Sequence, residues 1–272
     1  MRASLGAPSL LARLSTALVG SRPLASTAAG HAAIDLPDND QILYVVGDVH
    51  GCLRQLQEME RRIGELASRS ADREHVIVLV GDLIDRGPQS ADVIDYAMTP
   101  PGGNLKRFVL LGNHEEAMLE AKESAVAAGD WLGFGGFETL KSYGADDVPR
   151  LQSRADFRQL QRMMDFLVPP DHWEWLRGLP KSLRWRNYFV VHAGVRPGLD
   201  INEQALRDLI WIREPFLSSD EDFGAVVVHG HTPGQQPMRY PNRIAVDTGC
   251  YASGTLSAVM LDRDNVRFLS VS

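Results

Sequence analysis

The chain has 272 residues, 44% of them hydrophobic, which is enough for one large domain or two small ones. Its net charge of −7 excludes a global basic field that would recruit nucleic acid or an anionic membrane. Its two cysteines, Cys52 and Cys250, are too few for a disulfide framework and match no zinc-finger spacing, so a reducing, cytoplasmic setting is the expectation.

The first 34 residues carry Arg2, Arg13 and Arg22, no acidic residue before Asp35, and much Ala and Ser. That composition suits an organellar transit peptide and, equally, a disordered tail. Arg13 interrupts the apolar stretch from Leu10 to Val19, which speaks against a secretory signal. No apolar run reaches the roughly 18 residues of a membrane span, so a soluble protein without membrane insertion is expected. Residues 1–37 are read as this tail. Residues 38–272, 235 positions without a repeat or low-complexity linker, are read as one domain.

Strand-like apolar runs follow at Ile42–Val46, Val76–Val80, Phe108–Leu111, Tyr188–Val191, Ala225–Val228, Arg243–Val246, Thr255–Leu261 and Val266–Val271. Helical patterns at Cys52–Ala67, Ser90–Met98 and His114–Ala128 separate the early ones. Alternation in the first half and clustered strands in the second predict an α/β protein with mixed sheets. The segment Ala145–Lys181 breaks this rhythm. It reads as mainly helical, with Pro169-Pro170 opening a short helix, and as a packing insertion more than a cap beside a site.

The first three strands end in polar motifs: Gly47-Asp48-Val49-His50-Gly51, then Gly81-Asp82-Leu83-Ile84-Asp85-Arg86-Gly87-Pro88, then Gly112-Asn113-His114-Glu115. Singly, each has an ordinary explanation, such as Asp48 or Asn113 capping a helix, or Asp85 and Arg86 forming a loop ion pair. Together they point to a site beyond the carboxyl ends of the strands. Five of the eight histidines stand at such ends, including His192-Ala193-Gly194 and His229-Gly230-His231-Thr232. Asp, Asn and His without Cys suit Mn²⁺, Fe or Zn²⁺ better than a structural zinc site. Six or seven donors exceed the needs of one ion, so two metals sharing a carboxylate are predicted. Such pairs catalyse in-line displacement at phosphorus by an activated bridging water.

In this order the motifs GDVHG, GDLIDRG, GNHE, HAG and HGHT resemble those of PPP-type serine/threonine protein phosphatases. The likeness is to the compact bacterial and bacteriophage lambda type within the calcineurin-like metallophosphoesterase superfamily. Trp131–Tyr143 (WLGFGGFETLKSY), Trp211-Ile212-Arg213-Glu214 and the stretch from His229 to VDTG look like the same subgroup. The resemblance runs from about Tyr44 to Leu261 and is weakest over Ala145–Lys181. It implies a sandwich of two mixed sheets flanked by helices, with the site at one edge.

The resemblance also implies roles. Asp48 and His50 match the ligands of a first metal, Asp82 a bridging carboxylate, and Asn113, His192 and His231 the ligands of a second. Two divalent ions are implied, Mn²⁺ foremost, with Fe or Zn²⁺ compatible. His114 matches a general acid for the leaving alkoxide, oriented by Asp85, whose carboxylate is expected to raise the imidazole pKa. Arg86 and Arg213 match phosphate-binding arginines. His229 is expected to pack or support the ligands from behind, and Tyr251 is not placed at the substrate.

The implied activity is hydrolysis of phosphoserine or phosphothreonine, with a phosphoprotein or phosphopeptide as partner and no nucleic acid. Symmetrical bis(5'-nucleosyl)-tetraphosphatases share a similar HAG and GHT. They generally differ at the position of Asp85 and carry Asp where this chain has Glu115, which favours the protein-phosphatase reading. A non-catalytic phosphate-binding scaffold would lack one or more of the six ligands, and none is missing.

Overall fold

The computed structural model describes residues 25–26, 30–263 and 265–272; the other positions of the N-terminal tail lie outside the described residues. The strands are β1 (Ala25–Ser26), β2 (Ala32–Asp35), β3 (Gln41–Val46), β4 (Glu74–Leu79), β5 (Leu105–Val109), β6 (Ser182–Trp185), β7 (Tyr188–Val191), β8 (Val226–His229), β9 (Met238–Arg239), β10 (Arg243–Ala245), β11 (Leu256–Asp262) and β12 (Asn265–Val271). They form two mixed sheets, ordered β1-β2-β6-β7-β8-β10-β9 and β12-β11-β3-β4-β5.

Side-chain alternation explains why the sheets face each other. In β3, Leu43 and Val45 join Val76, Val78, Val190, Val228 and Val259 in a core shared by the two sheets. The alternate residues Ile42, Tyr44 and Val46 join a second core with Leu56, Met59 and Ile63 of helix α1 (Leu53–Ser68). Both faces of the central strands are therefore covered, which is why they read as continuous apolar runs. The α/β sandwich flanked by helices is the expected architecture.

Parallel pairing places the chemistry. β3, β4 and β5 are mutually parallel, with Val46 opposite Leu79 and Leu79 opposite Val109. β8 runs parallel to both β7 and β10 in the other sheet. The loops after all six strands open at one edge.

Several boundaries differ from the expectations. β2 pairs in parallel with β6, and Ala33 and Ile34 are buried, so the folded domain begins before residue 38. Two inward residues in a four-residue strand are too weak a pattern to read locally. The helix expected over Ser90–Met98 forms as α2 (Ser90–Met98), whereas the one expected over His114–Ala128 is two helices, α3 (Asn113–Ala121) and α4 (Ala125–Trp131). Ser124 restarts the second by accepting from the Ala127 N–H. A kink at Leu132–Gly136, with Phe134 and Gly135 outside helical backbone angles, then leads into α5 (Phe137–Ser142).

In the weakly matching segment, α6 (Arg154–Leu167) and α7 (Pro170–Gly178) bury Leu160, Met164, Trp173 and Leu176 in the helix-side core. Two further helices are α8 (Leu206–Trp211) and α9 (Cys250–Ser253). Among the described residues no helix is long and apolar enough to cross a membrane.

Candidate metal centre

Seven non-glycine residues among those described have left-handed backbone, and five of them, His50, Asp82, Asp85, Arg86 and His231, lie at this edge. Such conformations cost energy and persist only where the surroundings hold them. Here Glu115 does much of the holding. Its Oε2 accepts from the N–H groups of Gly112 and Asp82, both at 2.9 Å. Its Oε1 accepts from Leu83 at 2.7 Å and Ile84 at 3.3 Å. The carbonyl of Asp82 in turn accepts from the N–H groups of Val49 and His50, which ties the first motif to the second.

All ten sequence-predicted residues converge in one network. The two carboxylate oxygens of Asp82 face opposite ways, Oδ2 toward His50 Nε2 at 3.6 Å and Oδ1 toward His192 Nε2 at 3.4 Å. Asn113 Oδ1 lies 2.9 Å from His192 Nε2 and 2.7 Å from His231 Nδ1. Asp48 accepts the His231 N–H at both oxygens, at 3.1 and 3.2 Å. His114 Nδ1 donates to Asp85 Oδ2 at 2.6 Å, and Arg86 Nη2 lies 3.3 Å from His114 Nε2. Arg213 reaches the His231 carbonyl at 3.3 Å.

The protonation pattern tests whether metal fits. His50 Nδ1 and His192 Nδ1 face the carbonyls of Ile84 and Val80, so their N–H bonds point away from the centre. Burial lowers the pKa of His192 to about 3 and that of His50 well below the usual range, so both rings are neutral. Their Nε2 lone pairs then face oxygen lone pairs of Asp82 and Asn113 with no proton between them. Two donors about 2.1 Å from one cation lie roughly 3.0–3.4 Å apart, close to the 2.9–3.6 Å that separates these nitrogens from the Asp82 and Asn113 oxygens.

Two buried triads have donor atoms close enough to share an ion, His50–Asp82–His114 and Asp82–His192–His231. Burial and the nearby Asp247 and Asp82 push the Asp48 carboxyl well above its ordinary range. Two divalent cations beside Asp82 would relieve the facing lone pairs and favour the ionised Asp48 carboxylate.

One expected effect is reversed. Burial, with Arg86 adding and Asp82 opposing, lowers the His114 pKa instead of raising it. Asp85 is itself pushed well above the carboxylate range by burial, against hydrogen bonds from Thr139 and Trp131 that pull it down. His229 is buried against Phe216, its ring edge-on at 5.0 Å, consistent with packing.

The calcineurin-like phosphoesterase family pattern matches residues 43–268. The chain belongs to that family. Serine/threonine-protein phosphatase 1 of Salmonella typhimurium is 29% identical over 222 residues, covering 79% of this chain and 89% of that one. The asymmetrical bis(5'-nucleosyl)-tetraphosphatase PrpE of Anoxybacillus flavithermus is 25% identical over 229 residues, covering 79% and 88%. A symmetrical bis(5'-nucleosyl)-tetraphosphatase of a Janthinobacterium species is 26% identical over 293 residues, covering 82% and 94%. A protein serine/threonine phosphatase structure from Saccharomyces cerevisiae shares the fold, with a TM-score of 0.53 at 15% identity, covering 88% of this chain and 83% of that one. The family and the donor clusters together make this a dinuclear metallophosphoesterase-type hydrolase.

Three site residues escaped the sequence reading. Asp247 is buried beside Asp48, its carboxyl pushed up to about 6 by burial, and it ends β10 as Asp48 ends β3. That shared strand-end position was the available signal. Tyr251, not placed at the substrate, accepts from Arg86 Nη1 at 2.6 Å and meets the His50 ring edge-on at 5.2 Å. Glu115 served only to separate two families, while its four N–H donors make it the support of the Asp82 backbone.

Proposed function

We propose that this chain is an Mn²⁺-dependent phosphomonoesterase acting on phosphoserine or phosphothreonine in cytoplasmic proteins. The observation that carries the reading is the buried His114–Asp85 contact of 2.6 Å beside Arg86. A serine or threonine alkoxide is a strong base and needs a proton as it departs, whereas a nucleotide departs as a stable phosphate anion. An imidazole held by a carboxylate at the site edge serves the first chemistry.

Asp48 and His50 would hold one ion and Asn113, His192 and His231 the other, with Asp82 shared between them. When bound, the ions withdraw charge from the phosphoryl oxygens and lower the pKa of water. Oxygen and imidazole donors without thiolate favour Mn²⁺, with Fe or Zn²⁺ also accommodated. Arg86 and Arg213 grip phosphoryl oxygens with planar guanidinium forks, which a single-point ammonium could not match. In its protonated form His114, its Nδ1–H held by Asp85, delivers the Nε2 proton to the leaving oxygen, the charge of the incoming phosphoryl group opposing the burial that lowers its pKa.

A second reading, hydrolysis of dinucleoside tetraphosphates, is favoured by the names of several relatives. Phosphoserine, phosphothreonine and phosphotyrosine peptides and diadenosine tetraphosphate, compared with added Mn²⁺, decide between them. The highest kcat/KM is expected on phosphoserine or phosphothreonine. Action on the dinucleotide alone would overturn the proposal.

A further inference from the structure

The segment Trp131–Tyr143 holds none of the ten predicted site residues, yet it closes around one of them, Asp85. Asp85 is fully buried, and both its oxygens are occupied. Oδ2 accepts from His114 Nδ1 at 2.6 Å and from Trp131 Nε1 at 2.9 Å. Oδ1 accepts from Thr139 Oγ1 at 2.5 Å and again from Trp131 Nε1 at 3.2 Å. Thr139 Oγ1 also accepts the Asp85 N–H at 2.9 Å, as does Ser90 Oγ at 3.0 Å. The backbone and the carboxylate of Asp85 are thus clamped by one hydroxyl.

The turn between Trp131 and Thr139 is built for this approach. Gly135 has φ +136°, and a Cβ there would lie 2.8 Å from Asp85 Cβ and 2.9 Å from Arg86 N. A Cβ on Gly136 would lie 2.6 Å from the Trp131 indole. Only residues without a side chain let the indole fold over this turn and aim Nε1 at the carboxylate. The kink between α4 and α5, where Phe134 and Gly135 leave helical backbone angles, turns the chain so that Trp131 and Thr139 reach the same side chain.

We propose that Trp131 and Thr139 are positioning residues, acting through Asp85 to fix the His114 ring for proton delivery to the leaving oxygen. The proposal rests on the reading of His114 as general acid. A carboxylate gripped at both oxygens cannot rotate, so the His114 Nδ1–H has one direction to point and Nε2 stays aimed at the substrate. The WxxxGGxxT pattern is then a brace for the acid, not for the metals.

Thr139→Val removes the hydroxyl at constant shape, and Trp131→Phe removes the indole N–H while keeping an aromatic ring. Each is measured on a phosphoserine peptide, whose leaving group needs a proton, and on 2,4-dinitrophenyl phosphate, whose leaving group does not. Loss of one hydrogen bond to a charged group corresponds to about 10- to 100-fold. That fall is expected in kcat on the peptide, with a change of about threefold or less on the aryl ester, unaltered Mn²⁺ content, and recovery in Thr139→Ser.

An equal fall on both substrates, or no fall on either, would overturn the inference in favour of a packing role. His114→Asn serves as the reference. If it discriminates between the substrates and the two brace variants do not, the brace is wrong and the acid assignment stands. If His114→Asn itself shows no discrimination, both fall.

Discussion

Replacing Glu115 by Gln tests the support beneath the candidate centre with almost no change of shape. The carboxylate accepts four backbone N–H groups, two at each oxygen. An amide offers one oxygen, so its NH₂ must face two N–H groups, either those of Gly112 and Asp82 or those of Leu83 and Ile84. Each lost hydrogen bond to a charged acceptor is worth about 1.5–3 kcal/mol, so the pair sums to roughly 3–6 kcal/mol. A typical domain has only about 5–15 kcal/mol of stability, so the substitution would consume a large part of it.

Burial and the neighbouring Asp82 push the Glu115 carboxyl up to about 8, while the N–H donors pull it down. Since all its hydrogen-bonded partners are donors, a carboxyl proton would have no acceptor, and positive charge entering the site would favour the ionised form. Urea unfolding of the Mn²⁺-loaded protein reads the stability, and Mn²⁺ titration reads the site, because the left-handed Asp82 loses its anchor. Weaker unfolding midpoints and at least tenfold weaker Mn²⁺ binding are expected. A variant within about 1 kcal/mol of the parent, with unchanged Mn²⁺ affinity, would refute the assignment of Glu115 as the anchor of Asp82.

Asp82→Asn keeps the size of the shared ligand but removes its charge; elemental analysis is expected to find fewer than two ions per chain, and a full complement would rule out bridging. Glu60→Gln breaks a buried pair in which Arg107 donates to both carboxylate oxygens at 2.6 Å, far from the chemistry. It should cost about 3–5 kcal/mol in denaturant unfolding with Mn²⁺ binding intact, and an unchanged midpoint would contradict this.

In the metal-free protein Asp48, Asp85, Asp247 and Glu115 all have raised pKa values, so the stability they favour is present at low pH and lost as pH rises through the folded values. His192, His229 and His231 have lowered values, so their contribution is present above about 6.5 and lost as pH falls. Above pH 6.5 the four carboxyls set the downward trend, opposed by Cys52, whose thiol pKa is lowered by its hydrogen bond with Cys250. Melting in the presence of chelator should therefore drop between pH 6.5 and 8.5 and recover with Mn²⁺, and a flat profile would count against a carboxylate cluster awaiting cations.

What the sequence determined was a set of candidate donors and its place. Strand ends are local features, so an apolar run followed by Gly and a polar motif could be read at Asp48, Asp82 and Asn113 without knowing the fold. The matching histidines at His192 and His231 had the same form, and the buried central strands announced themselves by composition. The tertiary structure decided what depends on residues far apart in sequence. Thr139 reaches Asp85 across 54 positions, and Glu115 reaches the Asp82 N–H across 33. No window of sequence contains such a contact. The same holds for β2, which gains its partner only when β6 lies beside it. It holds also for His114, whose pKa follows from the burial supplied by every element around it, while the sequence displayed only its carboxylate neighbour. Residue chemistry at the ends of strands is written along the chain; the orientation and charge state of those residues arise only when separate strands and turns close over them.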